Sequence, residues 1–371
     1  LSENAELAAS TLSLSATELL RRNNPSIRLT SNHDPSAERY AVDSLLLNGI
    51  EGGSVRLGND TVVYEVNVPE SGYYHLGVKY RQDYLMQMPA FRELRINGKI
   101  PFEEARLLQF HSTQTYQNLL FGDPDPYRFY LEAGTHEISV RAVMEPYRDV
   151  YHSLTDMMQE ISDLSLEIKK LTGNSTDRYR TWDIARFIPD TEARLTRWID
   201  TLDAIDTHLS SFSYHDDPGA LTNMTIAKER LETLRDDINS IPSQMLLLAD
   251  GNTSASQMIG SSIQSFLENG LDIQSLHVKG EDRLPRARAN IFERAWVSTY
   301  RFFESFGSQE YQVGDVEDGV LEVWINHPRQ YIEIIQKMVD SGFTAETGIE
   351  VQIALMPDEN KLILANAAGN A

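Results

Sequence analysis

The chain has 371 residues, 41% of them hydrophobic and 9% aromatic, with a formal net charge of -22 and no cysteine. That length exceeds what one hydrophobic core usually supports, so two or three domains are expected. The acidity excludes the basic face that nucleic acid requires, and the missing thiols exclude disulfides, thiolate catalysis and cysteine-ligated zinc.

In chain order, Leu1 to Leu20 does not read as a secretory signal. It lacks a basic start and carries Glu3, Glu6 and Glu18 among its apolar positions. Residues 1–24 are predicted as a helical lead-in. From 25 to 145 the texture is that of strands. Thr61 to Val68 alternates and ends at the turn Pro69-Glu70-Ser71-Gly72, and Tyr73 to Tyr80 alternates again. Phe91 to Ile96 runs into Asn97-Gly98, a strong tight-turn signal. Short strands punctuated in this way predict an antiparallel β-sandwich or jelly roll.

The period changes near Pro146. Val150, Leu154, Met157, Ile161, Leu164, Ile168 and Leu171 follow steps of three and four, a stripe on one helix face. Gly173 is placed to end that helix. Leu195, Trp198, Leu202, Ile205, Leu209 and Phe212 repeat the stripe. Further helices are predicted over Leu221 to Ile238, Ser243 to Leu267 and Ile291 to Phe306, with Asp272 to Pro285 as a connector. Narrow stripes must bury themselves on one another, so 146–310 reads as a helical bundle. No run approaches about 18 consecutive apolar residues, the length of a membrane-spanning helix.

The third texture occupies 316–371. Val320 to Ile325 is a buried-type strand, Pro328 to Phe343 an amphipathic helix, Ile349 to Leu355 a second strand, and Pro357 to Ala368 opens another helix. This is the opening β-α-β-α of a parallel α/β sheet, which needs more strands than two to have both faces covered.

The stretch Trp324-Ile325-Asn326-His327-Pro328-Arg329-Gln330-Tyr331 resembles the opening of family 1 extracellular solute-binding proteins. Phe343-Thr344 with Thr347-Gly348-Ile349, and the run from Met356 to Ala365, do so as well. The chain is similar to the subgroup in which a carbohydrate-binding-like sandwich and a helical region precede the solute-binding domain. Tyr64-Glu65-Val66-Asn67-Val68-Pro69-Glu70-Ser71-Gly72-Tyr73-Tyr74 and Phe129-Tyr130-Leu131-Glu132-Ala133-Gly134-Thr135-His136 resemble turns of the galactose-binding-like fold. Leu171-Thr172-Gly173-Asn174 with Asp177-Arg178-Tyr179-Arg180 resembles the first helical hairpin of the subgroup.

The resemblance implies a multidomain α+β chain: a galactose-binding-like sandwich, a helical bundle, and the first part of a periplasmic-binding-protein-like lobe. It implies an extracellular, cell-surface component of an ABC-type sugar importer. Such a component captures oligosaccharide for membrane permease subunits and touches the membrane only through an upstream lipid anchor, as a lipoprotein does. A non-catalytic glycan-binding or structural surface module is the alternative.

No nucleophile, zinc-binding or phosphate-loop motif is present, and no cofactor is expected. The carboxylate pairs Glu103-Glu104, Asp123 with Asp125, and Asp216-Asp217 are sequence neighbours. A glycosidase needs two carboxyl groups facing each other about 5–10 Å apart, so these read as turn and helix-start chemistry and no enzyme is expected. Family carbohydrate modules often hold calcium near an acidic strand, and Ile27-Arg28-Leu29-Thr30-Ser31 lacks those acids, so no metal is expected.

Sugars bind through an aromatic ring and fixed polar groups. Tyr84, with Met86-Gln87-Met88, lies in one long connection, and His111 and Tyr116 in another. They are candidate sugar contacts, or padding between the sandwich and the bundle. Ligands of open α/β sheets bind beyond the carboxyl ends of strands. There Asn326, Arg329 and Glu359 are candidate ligand contacts, with helix capping as the alternative role.

Overall fold

A computed structural model describes residues 6–32, 36–37, 46–84, 87–175, 177, 179–180, 182–213, 219–267, 269–287, 320–325 and 329–355. The expected helices Ile291 to Phe306 and Pro357 to Ala368 lie outside the described residues.

Fourteen strands and two antiparallel sheets, with a separate parallel pair, organise the described chain. The strands before the bundle are β1 (Leu12–Ser15), β2 (Leu19–Arg22), β3 (Leu29–Thr30), β4 (Gly49–Ile50), β5 (Thr61–Val68), β6 (Gly72–Arg81) and β7 (Ala90–Ile96). They continue with β8 (Leu108–Phe110), β9 (Gln117–Leu120), β10 (Phe129–Leu131) and β11 (Gly134–Ala142). After the bundle comes β12 (Asp272–Lys279). One sheet has the order β2-β5-β11-β7-β8; the other runs β10-β6-β12-β4-β3, with β1 also on β12 and β9 also on β6.

Alternation places the apolar residues between the sheets. Val62, Tyr64, Val66 and Val68 of β5 face Tyr74, Leu76, Val78 and Tyr80 of β6 across one buried core. Asn97 and Gly98 both take positive φ, 52° and 77°, the tight turn their sequence favours.

Over its described residues, 6–24, the lead-in is not a helix. Two four-residue strands, β1 and β2, stand there, one in each sheet. Asp272 to Pro285 is not a connector either. Its first eight residues are β12, which pairs with β6 on one side and with β1 and β4 on the other. Seven of those eight are buried. The sandwich therefore draws on residues from both ends of the helical region, outside the predicted 25–145 span.

Between β11 and β12 the chain makes α1 (Glu145–Thr172), α2 (Ile184–Phe187), α3 (Thr191–Ser210), α4 (Thr222–Asp236) and α5 (Ala255–Phe266). The bundle is an insertion in the sandwich, and among the described residues its last helix before β12 is α5, ending at Phe266. Pro146 stands in the first turn of α1, and Gly173 closes it in a left-handed conformation, φ 62°. The stripe positions Val150, Leu154, Met157, Ile161, Leu164 and Ile168 are all buried, as are Leu195, Trp198, Leu202, Ile205 and Leu209. Phe212 lies beyond the end of α3, half-buried against the same core. The helix predicted over Ser243 to Leu267 is broken. A 3-10 turn with Pro242 inside it and a π-helical turn at Leu246–Asp250 precede α5, whose start is capped by the Ser254 hydroxyl.

The α/β segment holds β13 (Val320–Ile325), α6 (Arg329–Met338), a π-helical turn at Val339–Thr344, and β14 (Glu350–Leu355). The strands are parallel, Val320 opposite Glu350. Ile332, Val351 and Ile353 form its small core, with Leu47 of the sandwich packed against it. Gln336 on α6 bonds the β14 backbone twice, donating to the Val351 carbonyl at 2.9 Å and accepting from the Ile353 N–H at 2.8 Å. A side-chain amide thus occupies a strand edge that would otherwise offer unpaired groups.

Candidate functional site

The expected sandwich contacts gather around a residue that sequence reasoning missed. Asp272, the first residue of β12, is 2% exposed. Its carboxylate accepts from the Gly52 N–H at 2.6 Å and the Tyr84 hydroxyl at 2.8 Å. It also accepts from Arg81 Nε at 2.8 Å and Nη2 at 2.6 Å. The Arg81 guanidinium in turn lies 5.5 Å from the centroid of the Tyr116 ring. Burial first, and then the Asp272 charge, hold the Tyr84 and Tyr116 hydroxyls above the usual phenol range.

Tyr84 covers glycine backbone. A Cβ built on Gly52 would come within 2.6 Å of its ring, and one on Gly270 within 2.7 Å. Only glycine lets the chain approach the ring so closely. Tyr84 and Tyr116 are therefore brought together with Asp272 and Arg81, Tyr84 in hydrogen bonding and Tyr116, 7% exposed, in burial.

His111 belongs to the neighbouring connection. Its carbonyl accepts from the Tyr80 hydroxyl at 3.3 Å, and burial lowers the pKa of its ring. The connections around it meet the bundle. Gln109 Nε2 donates to the Phe212 carbonyl at 2.9 Å, and the Gly219 N–H donates to Gln87 Oε1 at 2.9 Å. Met88 and Phe91 lie in the bundle's own core. The connections that carry these candidates thus also contact the bundle.

A second knot lies beside the first. Asn269, wholly buried, donates from Nδ2 to the Val143 carbonyl at 2.7 Å, and its Oδ1 accepts from the Phe91 N–H at 3.2 Å. Arg92, also wholly buried, donates to the carbonyls of Phe91, Val55 and Asn269 at 2.8, 3.1 and 2.8 Å. Burial draws its pKa down to about 9, with Asp60 opposing. The two stems of the insertion, at Val143 and Asn269, are thus tied to each other and to β7. One signal for this junction was available: Leu271, Ile273, Leu276 and Val278 flank Asp272 as an apolar series.

In the α/β segment, Asn326 and Glu359 lie outside the described residues, and Arg329 opens α6. Among the described residues no group of three or more His, Asp or Glu is placed to hold a metal ion. The acidic pairs have structural partners: Glu103 bonds Arg106 at 2.7 Å, and Asp123 accepts from the Leu120 N–H at 2.8 Å. Asp216-Asp217 lies outside the described residues.

Residues 149–266, the span from α1 to α5, match the family described as bacterial solute-binding protein, 4-helix bundle domain. No curated protein matches the chain. Among solved structures, a cycloisomaltooligosaccharide glucanotransferase of Paenibacillus sp. complexed with cycloisomaltoheptaose is similar at 17% identity and TM-score 0.28, over 38% of this chain and 17% of that one. A family 35 carbohydrate binding module from Clostridium thermocellum is similar at 18% identity and TM-score 0.27, over 36% of this chain and 88% of that one. A CBM35 from Paenibacillus barcinonensis is similar at 8% identity and TM-score 0.27, over 36% and 88%. At these scores the likenesses carry no argument about what this chain binds.

Proposed function

We propose that this chain acts in the extracellular solute-binding component of an ABC-type carbohydrate importer, capturing oligosaccharide for membrane permease subunits. The observation that carries the reading is the match of residues 149–266 to the bundle domain of bacterial solute-binding proteins, over the helices the structure places between β11 and β12. The parallel β13-α6-β14 unit supports it, since such units open α/β binding lobes whose ligands sit beyond the strands' carboxyl ends. The carbohydrate, the permease and the cell-surface location come from the resemblance of the segments around Trp324 and Met356. In this reading the sandwich is an accessory glycan binder, the bundle a spacer, and Asn326, Arg329 and Glu359 contribute to cargo binding. The role is binding, with no catalytic step.

The test is uptake. Cells lacking the gene should lose accumulation of at least one labelled oligosaccharide, and the protein should cross-link to permease subunits in the parent strain. Unchanged uptake across a broad oligosaccharide panel, together with no permease cross-link, overturns the reading.

A further inference from the structure

The tyrosines expected to meet sugar are occupied in the junction, but a different pair is free to do so. β10 pairs with β6 so that Tyr130 stands opposite Tyr73, and Leu7 bridges Tyr73 from the other side. Residues directly opposed across strands share a face. Their neighbours Tyr74, Phe129 and Leu131 point into the core, at most 2% exposed. Leu7, Tyr73 and Tyr130 therefore form a row on the outer face of the sheet. Tyr130 is 57% exposed. The two rings meet edge to face, 5.4 Å between centroids at 65°.

The surroundings of the row are polar and of mixed sign. His75, two residues along β6 on the same face, has its Nδ1 2.8 Å from the Tyr127 carbonyl oxygen. Exposed Arg128 and Glu132 flank Tyr130 along the chain. A cross-strand aromatic pair stabilises a sheet wherever it occurs; exposure of one ring to this degree adds a surface on which a flat ligand can lie. In an edge-to-face pair, one of the rings keeps both of its faces clear of the other. The ligand such a row fits is a pyranose, whose axial C–H groups present an apolar face to an aromatic ring while its equatorial hydroxyls reach polar neighbours. Opposite charges in the rim leave little net field, which suits a neutral ligand, and a chain of net charge -22 repels anionic polymers.

We propose that Tyr73 and Tyr130 form a glycan platform that stacks a sugar ring of a neutral polysaccharide on the outer face of the sandwich. The proposal rests on the carbohydrate reading above and places its sandwich contact away from Tyr84 and Tyr116.

The test is affinity electrophoresis of the full chain through gels containing soluble xylan, glucomannan, galactan or starch. The chain should be retarded by at least one of them. Tyr130→Ala and Tyr73→Ala should weaken that interaction about tenfold or more, and Tyr130→Phe should retain it. Tyr130→Leu keeps apolar bulk on the strand without a flat ring and should also lose binding, with circular dichroism confirming that each variant is folded. Retardation of all variants equal to the parent overturns the platform and leaves the carbohydrate reading standing. No retardation of the parent by any polysaccharide overturns both the platform and the reading of the sandwich as an accessory glycan binder, and the uptake test then decides the importer reading by itself.

Discussion

Asp272 shows how much one buried carboxylate can organise. It holds a backbone N–H, a phenol and a guanidinium that come from two separate stretches of chain, Gly52 in one and Arg81 with Tyr84 in the other. Removing it strands the Tyr84 hydroxyl and the Gly52 N–H, while half-exposed Arg81 recovers some solvation. Asp272→Ala should therefore cost about 2–4 kcal/mol, below the value for a fully buried pair. Tyr84→Phe, which deletes one hydrogen bond, should cost about 1 kcal/mol. Urea unfolding of the two variants checks the ratio; equal losses would mean that the Tyr84 hydroxyl bond alone accounts for what the carboxylate contributes, and that Gly52 and Arg81 add nothing. His277 offers a second residue-scale effect. It is wholly buried on the outer face of the sheet, with its Nδ1 2.9 Å from the Ser13 hydroxyl. Burial first, and Lys79 second, push its pKa down to about 4. An unfolded histidine titrates near about 6.5, so the unfolded chain takes up a proton that the fold refuses. The stability tied to neutral His277 is whole above about pH 6.5 and is lost as pH falls toward about 4, by up to about 1.4 kcal/mol per unit. Over that window the urea midpoint should fall less steeply in His277→Gln than in the parent.

At the scale of elements, β12 decides where the sandwich ends. It lies between β6 and the pair β1 and β4, so a chain cut after Val143 lacks the strand that joins them. Residues 1–145 alone should fail to give a dispersed amide spectrum by NMR. Replacing 145–268 with a short glycine-serine linker should give a folded sandwich, because Asn269 already bonds the Val143 carbonyl across the gap. A folded 1–145 fragment would contradict the topology. The helix faces were legible beforehand because a stripe repeated over five or six positions has one structural meaning: each stripe position from Val150 to Ile168 is buried. β12 was not, for two physical reasons. The register shifts between Ile273 and Ser275, so the bulge breaks the strict alternation that marks a strand. Its partners β6 and β1 also lie far off in sequence, and no local signal announces a return to a distant sheet. β1 and β2, at four residues each, are too short for period two to stand out from period three and a half. The candidate site suffered from the same gap. Tyr84 and Tyr116 were visible as aromatics in long connections, but the carboxylate that engages them sits on the strand that was missed.

For the molecule as a whole, the consequence is mechanical. An inserted bundle could swing on two flexible stems, yet its core takes in Met88 and Phe91 from the sandwich. Phe91 meets Tyr147 at 5.6 Å and Phe212 at 5.7 Å, and Tyr147 stacks on Phe266 at 5.6 Å. These rings link α1, α5 and the loop after α3 to one residue of β7. The Tyr147 hydroxyl adds a bond to the Pro89 carbonyl at 2.6 Å. Stability shared in this way should make sandwich and bundle unfold together. Phe91→Ala opens a cavity at the shared point and should cost about 3–5 kcal/mol. Hydrogen exchange in rising urea, read separately on peptides from β5 and from α3, should show both losing protection at one midpoint. That common midpoint should move down together in the variant. If α3 opened first while β5 stayed protected, the bundle would be an independent lever. Its orientation would then be free to follow a partner; under the coupled arrangement, the sandwich sets it.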